Sequence, residues 1–116
     1  MLYSESLKKN DDFKRVYGER NSHANKYLVM YIAKNGTERN RIGISVSKKV
    51  GNSVVRHRIT RLIRESYRLH EAVFNSGLDI VVVARVAAKE AGFQEIESTL
   101  LHLGKLHSIV TFKNNP

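Results

Sequence analysis

Five arginines follow one another at short intervals in the middle of the chain: Arg56, Arg58, Arg61, Arg64 and Arg68. The planar guanidinium group of arginine binds phosphate in a bidentate manner and stacks on nucleobases. Between residues 41 and 68 there are eight Lys and Arg residues and one acidic residue, Glu65. A helix face that is merely solvated usually alternates Glu with Lys, because like charges on one face repel. The pattern therefore favours a surface that binds phosphate groups.

A helix from Ser53 to His70 is predicted to carry these arginines. Asn52 or Ser53 can cap its first turn after a bend at Gly51, and apolar residues then recur with a period of 3.6. The side that we expect to be buried holds Val55, Ile59, Leu62, Ile63, Leu69 and Val73. The other basic side chains of this helix lie outside the buried side. Together with two lysines that precede the helix, we call them the basic face: Lys48, Lys49, Arg56, His57, Arg58, Arg61, Arg64 and Arg68.

Length and charge narrow the class of protein. The chain has 116 residues and a formal net charge of +9, which predicts one domain, residues 1–116, and a polyanionic partner. It has no cysteine, so disulfides and thiolate chemistry are excluded. No apolar run approaches the roughly 20 residues that span a bilayer, and the first residues lack the apolar segment of a signal peptide. We therefore expect a cytoplasmic protein that binds nucleic acid and no membrane.

Three segments have the composition of β strands. Residues 27–32 form an apolar and aromatic run, and residues 41–47 follow after a loop with an Asn35-Gly36 pair, which is typical of hairpins. We therefore expect residues 41–47 to be the antiparallel partner of residues 27–32. Residues 79–85 are rich in Val and Ile, which indicates a strand that is covered on both faces at the centre of the sheet.

The remaining segments predict two more helices and a tail. Asn10 is a candidate cap for a short helix on which Phe13 and Tyr17 share a face. Two aromatic residues at this spacing are typical of a hydrophobic core. The segment Phe93 to Leu106 again has apolar residues at helical spacing. Residues 108–116 have no such period and contain the only proline, so we expect a loose tail.

The returning strand, residues 41–47, predicts a second binding surface. Its apolar residues alternate with Gly43, Ser45 and Ser47, so one of its faces is small and polar. The expected neighbours of that face on the preceding strand are Tyr27, Val29 and Tyr31. Aromatic rings beside hydroxyl groups over open space suit stacked nucleobases.

The sequence offers no residues for a catalytic or metal site of its own. His57 and His70 would lie about 140° apart on their helix, and His102 and His107 lack the spacing of metal ligands. The carboxylates do not form the separated pair that two-metal phosphoryl chemistry needs. We therefore expect no catalytic residue and no metal ligand in the protein.

Residues 41–65, RIGISVSKKVGNSVVRHRITRLIRE, resemble the signature of the protein subunit of bacterial ribonuclease P. The resemblance continues through residues 7–17, through Ala24-Asn25 and through residues 79–85, so it covers most of the chain. Two positions depart from the family pattern. His57 stands where the family usually has Asn, and Thr60 stands where Lys or Arg is common.

The resemblance implies a function and a fold. It implies an RNA-binding subunit that helps a catalytic RNA to remove the 5′ leader of precursor tRNA, with Mg²⁺ held mainly by the RNA and no protein partner required. The basic face would contact RNA, and the leader would contact Phe13, Tyr17, Tyr31, Ser45 and Ser47. The implied fold is an α/β (α+β) two-layer sandwich in the order α-β-β-β-α-β-α, with a small mixed sheet and a left-handed crossover through the basic helix.

Two other functions stay open on the residues alone. A ribosomal or ribosome-associated RNA-binding protein would share the basic helix but would need no cleft for a leader. An independent nuclease would need a protein active site. The activity of the chain with and without the catalytic RNA separates these hypotheses.

Overall fold

The computed structural model describes residues 1–111 and contains, within them, one five-stranded sheet and three α-helices. The strands are β1 (Ser4–Ser6), β2 (Ser22–Ala24), β3 (Leu28–Lys34), β4 (Asn40–Ser45) and β5 (Leu78–Ala84). The helices are α1 (Asn10–Gly18), α2 (Ser53–His70) and α3 (Phe93–Leu106). Short 3₁₀ turns lie at Glu71–Val73 and Val86–Glu90. In this part of the chain no helix is both long and apolar enough to cross a membrane.

The strand order is β1-β4-β5-β3-β2, and the sheet is mixed. Strands β1 and β4 are parallel, as are β4 and β5, whereas β3 is antiparallel to both β5 and β2. Helices α2 and α3 pack on one face over the main core, and α1 packs on the other face over a smaller cluster that contains Leu7, Val16, Ala33 and Val81. The predicted single α/β domain with a mixed sheet is confirmed. The short α1 adds a partial third layer to the expected two, and β1 precedes the expected element order.

Helix α2 has the predicted bounds because its signals are local. The Asn52 side chain accepts a hydrogen bond from the Val55 backbone N–H at 3.0 Å, as expected of a cap. The expected burial of Leu69 is wrong, since this residue is 52 % exposed. Tyr67 is fully buried instead, and its hydroxyl group is satisfied by a hydrogen bond with the Ser4 hydroxyl at 2.7 Å.

The hairpin predicted for residues 27–47 is wrong. Strand β5 lies between β3 and β4, so Tyr31 pairs with Val81, which in turn pairs with Gly43. The centre of the sheet is the most buried position, and β5 is the strand whose side chains are apolar on both faces, as predicted. Strands β4 and β5 are parallel neighbours joined through α2, which is the crossover that the resemblance implies. The left-handed sense of this crossover connection stays a prediction.

The two ends of the chain depart from the prediction. Lys9, rather than Asn10, occupies the cap position of α1, and no side chain caps this helix. The first residues of the predicted loose tail are ordered: Ile109 is buried, and its carbonyl accepts a hydrogen bond from the Asn75 N–H at 2.7 Å. A Cβ on Gly104 would collide with the Val110 side chain, so glycine in α3 allows this segment to pack. Residues 112–116 of the predicted tail lie outside the described residues.

Candidate RNA interface

The basic face is a surface of α2, as predicted. Five of its members project into solvent from the helix: His57, Arg58, Arg61, Arg64 and Arg68. Arg56 is half-buried, and Lys48 and Lys49 are exposed just before the helix begins. The opposite side of α2 is anchored in the core by Ile59 and Ile63, which have no exposed surface. The buried side therefore holds the basic face outward.

The arginines of this face are not equivalent. Arg58 donates hydrogen bonds to the carbonyl oxygens of Lys89 and Ala91, at 2.7 and 3.0 Å, and so ties α2 to the segment before α3. Arg68 binds Glu65 through two hydrogen bonds of 2.5 and 3.0 Å. This contact lowers the pKa of Glu65 and raises the pKa of Arg68. Glu65, the only acidic residue between residues 41 and 68, is therefore already paired.

Arg61 and Arg64 differ from these two residues. Neither has a hydrogen bond or ion pair with another residue among residues 1–111. Thr60, which stands where the family often has a basic residue, donates its hydroxyl hydrogen to the Arg56 carbonyl oxygen at 2.9 Å. Its side chain therefore closes on its own helix. Among the exposed arginines of α2, Arg61 and Arg64 are therefore the two that are free to bind an external phosphate.

A second surface lies on the opposite face of the sheet, between α1 and the strands. The Tyr17 and Tyr31 rings meet edge to face with centroids 4.9 Å apart, and the Phe13 ring lies 6.4 Å from that of Tyr17. All three rings are half-buried. We call these rings, with Ser45 and Val83, the aromatic cleft. The structure thus brings together four of the five residues predicted to contact a leader.

Two neighbours shape the aromatic cleft. Burial raises the pKa of Tyr17, and a hydrogen bond with the Ser45 side chain partly opposes this rise. Gly43 lies under the Phe13 ring, and a Cβ at Gly43 would come within 2.6 Å of that ring. The absence of a side chain at Gly43 therefore lets Phe13 lie against β4.

Two of the residues expected at this surface, Ser47 and Tyr27, lie elsewhere. Ser47 lies beyond the end of β4 in a turn, where its carbonyl oxygen accepts a hydrogen bond from the Val50 N–H at 3.1 Å. The expected strand bound at residue 47 is therefore wrong, and a contact between Ser47 and a leader stays a prediction. Tyr27 precedes β3 and packs against the main core, on the side of α2 and α3. It does not belong to the aromatic cleft.

Sequence reasoning missed the ionic network beneath α1. Asp79 has no exposed surface, and it accepts hydrogen bonds from Arg41 and Asn35 and pairs with Arg15. Burial by itself would raise the pKa of Asp79, but the bonds and positive charges around it together lower this pKa. Arg41 is one of the eight basic residues counted between residues 41 and 68, but its guanidinium group is bound to Asp79 within the protein. The only sequence signal was an acid at the start of a buried strand.

Three of the five histidines, His23, His70 and His107, form contacts within the protein. The His23 and His107 rings lie 4.5 Å apart, and His107 donates a hydrogen bond to the Met30 carbonyl oxygen at 2.8 Å. Burial lowers the pKa of His107. His70 contacts Glu97 at 3.0 Å between α2 and α3. Among residues 1–111 no group of three or more His, Asp or Glu side chains is placed to hold a metal ion.

Comparisons with known proteins identify the family of this chain. Residues 1–107 match the Ribonuclease P family. A ribonuclease P protein component from Lachnoclostridium phytofermentans is 63% identical over 108 residues, which are 93% of each chain. The RNase P protein from Staphylococcus aureus is 39% identical, with a TM-score of 0.84 over 91% of this chain and 97% of its own. The protein from Thermotoga maritima is 32% identical, with a TM-score of 0.80 over 87% of this chain and 96% of its own. The chain therefore belongs to the ribonuclease P protein family.

Proposed function

We propose that this chain is the RNA-binding subunit of a ribonuclease P ribonucleoprotein and assists its catalytic RNA in removing the 5′ leader of precursor tRNA. The observation that carries the proposal is the presence of two different surfaces on opposite faces of one sheet. The basic face of α2 suits the phosphates of a large RNA, and the aromatic cleft under α1 suits an unpaired strand.

The basic face binds the RNA subunit through charge. Arg61 and Arg64 carry guanidinium groups without partners in residues 1–111, and Lys48 and Lys49 extend the positive surface. Phosphate contacts of this kind release counterions, so the affinity decreases as the salt concentration rises. The protein also screens the repulsion between the RNA subunit and its RNA substrate, which is a role that a charge of +9 supports.

The aromatic cleft binds the leader by stacking. The side chains of Phe13, Tyr17 and Tyr31 are only half-buried, so part of each stays accessible to a base, and stacking accepts most base types. A leader varies in sequence among precursor tRNAs and is unpaired, which matches this mode of binding. Ser45 adds a hydroxyl group at the same surface.

Mg²⁺ is assigned to the RNA subunit in this proposal. The described residues place no cluster of carboxylates or imidazoles that suits this ion, whose ligands are oxygen atoms in octahedral geometry. In this proposal the protein supplies binding and charge. We place the complex in the cytoplasm, with no further protein partner required.

The test compares the purified chain with the reconstituted complex. The chain alone should leave labelled precursor tRNA intact, and addition of ribonuclease P RNA should give cleavage at a lower Mg²⁺ concentration than the RNA needs by itself. Cleavage by repurified, RNA-free protein would instead indicate an independent nuclease. A chain that neither binds nor assists the RNA would support the ribosomal alternative, which no comparison favours.

A further inference from the structure

A groove of about 970 Å³ opens on the outer side of α2, next to the first residue of α3. Its apolar lining comes from Val54, Leu62 and Phe93, and its basic lining comes from Arg58, Arg61 and Arg64. Val54 is 75 % exposed. We call this feature the Phe93 groove. It combines an aromatic ring, aliphatic side chains and guanidinium groups in one depression.

The charges around the groove are not balanced by acids of the protein. Glu65 also lines the groove, but its carboxylate is bound by Arg68 through two hydrogen bonds. Arg58 is held by two backbone carbonyl oxygens, so its planar guanidinium has a fixed position without losing its charge. Arg61 and Arg64 remain without a partner among residues 1–111. The groove therefore favours an anionic occupant.

The apolar part of the lining favours an occupant that also has a flat, apolar part. Phosphates alone would satisfy Arg61 and Arg64 but would leave Val54 and Phe93 in water. A nucleotide offers both parts, because its base can stack on Phe93 or on a guanidinium plane while its phosphate pairs with arginine. Bases inside a duplex are already stacked and paired. An unpaired nucleotide is therefore the occupant that matches every part of the lining.

We propose that the Phe93 groove binds an unpaired base of the RNA subunit, with the adjacent phosphates on Arg61 and Arg64. This inference rests on the proposed function and assigns a second mode of recognition to the same helix. It makes the basic face more than a phosphate-binding surface, because a groove for an unpaired base selects a particular irregular site in the RNA. The aromatic cleft, on the other face of the sheet, remains for the leader.

The test uses the salt dependence of affinity for ribonuclease P RNA. A base contact releases no counterion, so Phe93→Leu and Val54→Ser should weaken binding equally at all salt concentrations. We expect a loss of about fivefold for Phe93→Leu, which is the lower end of the stacking range. Arg61→Ala should also reduce the slope of log affinity against log salt, by about 0.7 to 0.9. Val86→Ser changes another exposed valine, outside the groove lining, and serves as the control.

The outcomes separate the inference from the proposed function. Wild-type affinity of both groove variants, together with a weakened Arg61→Ala variant, would overturn the inference and leave RNA binding by the basic face intact. Wild-type affinity and slope of Arg61→Ala would contradict the proposed binding surface itself. Because Val54 is exposed, Val54→Ser should fold even if Phe93→Leu does not.

A photo-cross-linker on Val54→Cys locates the occupant in the assembled holoenzyme. Cross-links to an unpaired nucleotide of the RNA subunit support the inference. Cross-links confined to base-paired segments would show that only phosphates approach the groove, and this result would overturn it. A glutamate-rich peptide that competes for the groove as well as single-stranded RNA of equal charge would overturn it too, because the base would then add nothing.

Discussion

Arg41 and Asp79 lie directly opposite each other on the parallel strands β4 and β5, joined by two hydrogen bonds of 2.8 and 2.6 Å. Arg15 of α1 pairs with the same carboxylate, and Asp12 of α1 lies 3.4 Å from the Arg41 guanidinium. Helix α1 has nine residues, of which only Val16 is fully buried. The ionic network therefore contributes strongly to holding α1, and with it one wall of the aromatic cleft, against the sheet.

The first prediction concerns this network. Asp79→Asn should lower the free energy of unfolding by about 3 kcal/mol, because it leaves Arg41 and Arg15 without their buried partner. This figure is at the low end for a broken buried pair, since both arginines are partly exposed. Urea denaturation measures the change. Glu65→Gln breaks an exposed pair and should change stability much less than Asp79→Asn does. Equal effects of the two substitutions would contradict the importance of the network.

The pH dependence of stability follows from the same carboxylate. The folded protein holds the pKa of Asp79 below its ordinary value of 3.8, so the unfolded chain binds the proton more readily. The stabilisation is therefore complete well above pH 3.8 and is lost as the pH decreases through the lower, folded-state value. The difference in unfolding free energy between wild type and Asp79→Asn should shrink when the pH is lowered from about 7 to about 3. A constant difference over this range would show that the charge of Asp79 is not responsible.

The third prediction concerns Gly43 and Phe13. Gly43→Ala should displace the Phe13 ring, because the new Cβ would lie 2.6 Å from it, and should reduce stability by about 1 to 3 kcal/mol. Affinity of the holoenzyme for precursor tRNA should decrease, while affinity for ribonuclease P RNA should not. Gly18→Ala is the control, since a Cβ at Gly18 meets no atom within 4 Å. Unchanged precursor binding in a Gly43→Ala protein with a shifted ring would remove Phe13 from the leader site.

The fourth prediction concerns stacking in the aromatic cleft. Tyr17→Ala and Tyr31→Ala should each weaken holoenzyme binding to precursor tRNA about tenfold and leave binding to mature tRNA unchanged. Tyr17→Phe keeps the ring and loses the hydrogen bond with Ser45, so it should retain most of the affinity. Titrations with both tRNAs, beside thermal melts, measure these effects. Equal losses on precursor and mature tRNA would show that the tyrosines do not bind the leader.

The fifth prediction ranks the arginines of α2. Arg61→Ala and Arg64→Ala should weaken binding to ribonuclease P RNA more than Arg68→Ala, because Arg68 already binds Glu65. Removal of one phosphate-binding side chain should reduce the slope of log affinity against log salt by about 0.7 to 0.9. Fluorescence titrations at several salt concentrations provide the measurement. A larger effect of Arg68→Ala would mean that the RNA displaces Glu65 from this arginine.

The parts of the molecule that sequence alone predicts are those with local causes. Helix α2 and helix α3 have the predicted bounds, since an apolar period of 3.6, and in α2 also the Asn52 cap, act between residues that are close in the chain. The outward direction of the basic face follows from the same period. The composition of β5 likewise indicates its central place.

Tertiary structure alone decides which segments become neighbours. The Asn35-Gly36 pair predicts a hairpin, but β5 separates β3 from β4, because burying a strand that is apolar on both faces outweighs the preference of a short loop. The same insertion brings Asp79 to Arg41, which distinguishes this internal arginine from the external ones. Distant carbonyl groups likewise immobilise Arg58, whereas Arg61 has no partner within residues 1–111, a distinction that no periodicity contains. Sequence thus determines the charge of the basic face, and only the packing of distant segments decides which of its charges are available.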